Sequence, residues 1–172
     1  MKTKDLTLYA LLTSVCVVGR FLTQVIPNAQ PVTAIILLIT LYIGPRPAVI
    51  ISALSMIITN FYLGMGIWTI AQVGVFILLI LLIHQITRIT PLKQKLSWQL
   101  ITCIWMSLLY GFLVSLFLAP FFGITHFWPY YFSGLPFDLL HAGGTLVFYL
   151  LLKHPLLTVF DHYLRRNNYH DA

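Results

Sequence analysis

The chain has 172 residues, of which 59% are hydrophobic, 15% aromatic and only 8% charged, with a mean hydropathy of +0.91. Soluble domains carry about 25% charged residues, so four acids and ten bases exclude a soluble globular fold and mark an integral membrane protein. At about 20 apolar residues per spanning helix, this length holds six spans joined by short loops as one membrane-embedded domain, residues 1–172, with no room for a soluble one.

Apolar windows bounded by Pro, Gly and charge predict an all-α bundle with spans at 6–26, 31–43, 48–63, 68–87, 97–119 and 136–153. Lys2 and Lys4 before the first span resemble the start of a secretory signal, but Arg20 interrupts the run and no A-x-A-like cleavage site follows, so the segment reads as a mature helix. Ala10 and Ser14, one turn apart, put a small-residue step on this helix, and Arg20 is about 100° round from it. The step reads either as ordinary close packing or as a partner face. The second span is too short: 13 residues reach about 20 Å, against a hydrocarbon core of about 30 Å. The preceding Pro27-Asn28-Ala29-Gln30 must therefore dip below the surface, which irregular backbone survives only when buried in protein or lining a cavity.

Asn60 ends the third span, and Trp68 and Gln72 share a face of the fourth at i,i+4. Cys16 and Cys103 lie inside apolar stretches, far from any metal or disulfide spacing, and read as packing residues. The fifth loop, FFGITHFWPYYF from Phe121 to Phe132, has seven aromatics in twelve residues. An interfacial belt accounts for some of them; Trp128, Tyr130 and Tyr131 suit a lid over an aromatic-walled pocket. Asp138 and His141 share a face of the sixth span at i,i+3. Beyond Pro155, apolar residues at helical spacing beside Arg165 and Arg166 suit a short helix on the inner leaflet, making 155–172 a cytoplasmic interfacial tail.

Retained loops collect Lys and Arg, and the bases alternate without exception. Lys2, Lys4, Arg46, Arg88, Lys93, Lys95, Lys153, Arg165 and Arg166 fall on one side, while the first, third and fifth loops have none. Both termini are expected to be cytoplasmic, and the net charge of +6 requires no nucleic acid. Polar groups then crowd the outer half: Arg20, Asn28, Gln30, Thr33, Asn60, Gln72, Asp138 and His141. Arg20 and Asp138 are each costly inside a bilayer. Opposite in sign and similar in depth, they are expected to pair with each other, which is compatible with both flanking a pocket. The inner half shows almost no polar chain, so no ion or proton pathway is visible.

There is no phosphate-binding G-x-x-x-x-G-K-[ST] loop and no Glu anywhere, so the chain cannot hydrolyse ATP. It lacks a clustered nucleophile and base and a second histidine at the depth of His141 for bis-histidine ligation. A non-enzymatic receptor without a cofactor of its own fits best; a permease would need a polar route through both halves.

The size, the six helices and the Ala10 to Ser14 step resemble the substrate-binding S-components of energy-coupling factor (ECF) vitamin transporters, over most of the chain. Asn28-Ala29-Gln30-Pro31-Val32-Thr33, Gly64-Met65-Gly66-Ile67-Trp68-Thr69 with Gln72, and Leu135-Pro136-Phe137-Asp138 with His141 look like the cobalamin-type subgroup, although Met65 and Ile67 depart from its pattern. The resemblance implies a plasma-membrane subunit that captures a vitamin outside, cobalamin first, with folate, riboflavin or a modified nucleobase as alternatives. A membrane coupling subunit and two cytosolic ATPases would supply the energy, and the small face of the first helix would meet the coupling subunit. The implied ligand site comprises Asn28, Gln30, Thr33, Asn60, Trp68, Gln72, Asp138 and His141 beneath Trp128, Tyr130 and Tyr131.

Overall fold

The computed structural model describes residues 3–168, and side chains as far as residue 165. Six helices follow one another: α1 Thr3–Leu22, α2 Val32–Tyr42, α3 Pro45–Leu63, α4 Ile67–Ile89, α5 Leu96–Phe121 and α6 Phe127–Asn168. All but α2 are long and apolar enough to cross a membrane. The chain is thus a multi-pass membrane protein.

Every residue of α2 from Val32 to Leu41 is buried. A helix that is apolar all round belongs inside a bundle, and α2 is enclosed by the other five. Its eleven residues span about 16 Å, so it cannot bridge the bilayer. Enclosure removes the need, because the backbone entering it is shielded by protein rather than lipid.

Short links fix how the helices reverse direction. Gly44, at φ 137°, closes the α2–α3 turn by donating its N–H to the Ile39 carbonyl, and Pro45 opens α3 where no N–H is required. Between α1 and α2, Asn28 adopts φ 62° and its Nδ2 donates to the Phe137 carbonyl at 3.1 Å, fastening the connection to α6. Ala29 there is buried against Gly144, where any β-carbon would collide with Ala29. The connection enters the bundle at Asn28 to Pro31, while Val25 stays 91% exposed.

Two expectations are corrected in α6. The helix starts at Phe127 rather than Pro136, leaving only residues 122–126 as the fifth loop, so Trp128, Tyr130, Tyr131 and Ser133 are helical. Pro129 falls in the first turn, where a missing N–H costs nothing. Pro136 and Pro155 both lie inside the helix, on its exposed face. The second correction is that residues after Pro155 continue α6 to Asn168 instead of forming a separate helix. The remainder of the expected 155–172 tail, and the side chain of Arg166, lie outside what is described.

We call the end with the α1–α2, α3–α4 and α5–α6 links the distal end, and the end with the chain termini and the α2–α3 and α4–α5 links the basic end. At the basic end Gln99, 1% exposed, forms a hub. Its Nε2 is 3.0 Å from the carbonyls of both Leu92 and Lys93 and 3.2 Å from the Tyr42 hydroxyl. Its Oε1 accepts from the Tyr149 hydroxyl at 2.9 Å and Lys153 Nζ at 2.7 Å. Deeper in, the Ser107 hydroxyl donates to Thr145 at 2.9 Å. The basic half is therefore more polar than the sequence suggests, with its buried polar groups bonded to one another or, as for Thr40 and Ser52, to carbonyls of their own helix.

Candidate functional site

The distal half gathers most of the expected residues. Thr33, in the first turn of α2, lies 2.8 Å from His141 Nε2, through Oγ1. This joins α2 to α6 and leaves His141 Nδ1 buried with no partner. Asp138, one turn earlier on α6, is 7% exposed and accepts no hydrogen bond. A β-carbon on Gly111 would run into its carboxyl group. Only glycine on α5 lets α6 bring the carboxyl so close to the backbone.

Arg20 is also buried, but the expected ion pair with Asp138 does not form. Its Nη1 donates to Thr59 Oγ1 at 2.6 Å and lies 3.2 Å from Met56 Sδ, while Nε has no partner. The reason is geometric: Arg20 lies in the last turn of α1, whose main neighbour is α3, and Tyr110 of α5 lies within electrostatic reach of both charges. Tyr110 meets the His141 ring edge-on, centroids 5.3 Å apart, and packs at a tilt against Phe76 at 4.8 Å.

A second cluster closes the α3–α4 link. Asn60 Nδ2 is 2.7 Å from Gln72 Oε1 and 3.0 Å from Thr69 Oγ1. The pairing orients the Gln72 amide and leaves its Nε2 without a bond. Trp68 Nε1 donates to the Gly64 carbonyl at 3.2 Å with its ring over Gly66, and the residue remains 38% exposed. Gln30 is half-buried and makes no hydrogen bond.

Of the aromatic residues of the expected lid, Tyr131 lies within electrostatic reach of Asp138. Tyr131 packs on Phe112 and Phe127, and Trp128 on Phe127 and Phe132. Among the described residues, no ring contact or hydrogen bond joins Trp128, Tyr130 or Tyr131 to Trp68 or Gln72.

Ala10 and Ser14 both face outward, with the Ser14 hydroxyl folded onto the Ala10 carbonyl at 2.9 Å. Neighbouring Leu11, Val15 and Val18 are exposed too, so the small step does not pack inside the bundle. Cys16 and Cys103 are buried and form no disulfide.

Sequence reasoning missed Tyr110, Thr59 and Gln99. Tyr110 reads as one more aromatic in an apolar run, and Thr59 is overshadowed by Asn60. Gln99 carried a usable signal, being an amide near the start of a span. Searches against family models, characterised proteins and solved structures find no match to the chain.

Proposed function

We propose that the chain is the substrate-binding S-component of an ECF-type importer, capturing a vitamin at the distal end, with cobalamin the first candidate. The observation that carries the reading is the set of buried polar groups left open there: Arg20 Nε and His141 Nδ1 without partners, and Asp138 without a hydrogen bond. Buried polar groups are normally bonded, and ionisable residues within spans mark functional sites by default. Gln30, the free side of Gln72 and Trp68 supply further amide and ring contacts of the kind a large, amide-rich corrinoid needs. The distal end is then extracytoplasmic, both termini are cytoplasmic, and the subunit resides in the plasma membrane.

Energy comes from partners in this reading: a membrane coupling subunit and two cytosolic ATPases. The outward-facing step at Ala10 and Ser14 supports a helix-helix contact with the coupling subunit, since small residues let backbones approach closely. Mass spectrometry of the molecule that co-purifies with the chain, followed by titration with cobalamin, tests the proposal. A bound corrinoid and saturable binding are expected. Folate, riboflavin or a nucleobase in its place would change the ligand alone. Uptake by the lone chain in liposomes would make it a permease and overturn the S-component reading.

A further inference from the structure

The α5–α6 seam presents three polar groups whose chemistry is uneven. Asp138 offers oxygens, held at Gly111, and no cation touches them because Arg20 is engaged by Thr59 and Met56. The Tyr110 hydroxyl makes no hydrogen bond. His141 commits Nε2 to Thr33 and keeps Nδ1 buried and open. The seam thus offers an acceptor, a hydroxyl donor and an imidazole nitrogen; the nearest positive charge, Arg20 of α1, is within electrostatic reach of Tyr110 but makes no ion pair with Asp138 and is bonded to Thr59.

We infer that Tyr110 and Asp138, with His141 packed beside Tyr110, form a subsite for a neutral carboxamide of the ligand and discriminate against the matching carboxylate. The inference rests on the vitamin-capture reading above. A carboxamide donates N–H to Asp138 while its carbonyl accepts from the Tyr110 hydroxyl, so both poles of the seam are satisfied by one planar group. A carboxylate brings no N–H, and it sets a second acceptor against Asp138 where low dielectric magnifies like-charge repulsion. A ligand ammonium would suit Asp138 but leave the Tyr110 hydroxyl without an acceptor. Sites built to bond a particular polar group reject analogues lacking it far more strongly than apolar pockets reject a missing methylene.

The test titrates the purified full chain in nanodiscs with cobalamin and with each monocarboxylic acid formed when one peripheral carboxamide is hydrolysed. For the wild type, at least one acid is expected to bind about tenfold or more weakly than cobalamin, the equivalent of one lost buried hydrogen bond. Asp138→Asn should bring that acid to within about threefold of cobalamin, because the repelling charge is gone. Tyr110→Phe should weaken cobalamin while leaving the poorest acid unchanged, and it serves as the second variant should Asp138→Asn fail to give a monodisperse protein. Equal binding of every acid by the wild type overturns the carboxamide subsite and leaves vitamin capture standing, as does a gap that survives Asp138→Asn. No binding of cobalamin by the wild type overturns the corrinoid reading, and the inference built on it falls too.

Discussion

Asn60 holds Gln72 by its Oε1, so the opposite end of that amide is aimed by a neighbour and free to donate. Gln72→Ala should weaken cobalamin binding by about 1 to 3 kcal/mol in titration calorimetry, the usual cost of a lost buried hydrogen bond. Asn60→Ala should produce a smaller loss that is not additive with it, since the two residues act as one unit; strictly additive losses would separate them. Trp68→Ala should also cost about 1 to 3 kcal/mol, here through lost contact area. At the close approach of Gly144 to Ala29 the effect belongs to stability instead. Gly144→Leu should destabilise the bundle by about 1 to 3 kcal/mol through overpacking, read as a lower unfolding temperature in detergent, whereas an unchanged temperature would mean that the connection yields freely.

Among the elements, α1 has two faces with different duties. Arg20 and the buried residues Leu8, Leu12 and Cys16 turn toward the bundle, while Ala10 and Ser14 turn away. Trp at either outward position should therefore leave cobalamin affinity nearly intact and impair assembly with the proposed coupling subunit, as judged by co-purification. Loss of ligand affinity in a fully assembled complex would show that this face serves the bundle instead. The angle between these faces was legible in the sequence from helical periodicity, which left open whether the small step packs inside or faces out, while the short α2 followed from counting apolar residues against bilayer thickness. The start of α6 was not legible. Pro129 and Pro136 look like punctuation in a linear reading, yet one occupies a first turn and the other lies inside the continuous helix. The partner of Arg20 was equally hidden: charge and depth pointed to Asp138, and the choice of Thr59 depends on which helix stands beside α1.

For the molecule as a whole, open polar groups at the distal end contrast with bonded ones at the basic end. Proteoliposomes holding the chain alone should bind cobalamin without accumulating it, measured as retained radiolabelled vitamin after washing; ATP-independent accumulation would contradict this. The Gln99 hub ties α2, the α4–α5 link, α5 and α6 at a single amide, and Gln99→Leu would leave the Tyr149 hydroxyl and Lys153 without that acceptor. That hub also bears on how the host membrane tolerates the protein. In the proposed capture role, a base whose Gln99 amide is fully bonded to protein leaves no open polar chain there for a proton, so a cell could display many idle copies without draining its gradient. Wild-type proteoliposomes should accordingly show the proton leak of empty lipid, and a leak above that level would contradict it.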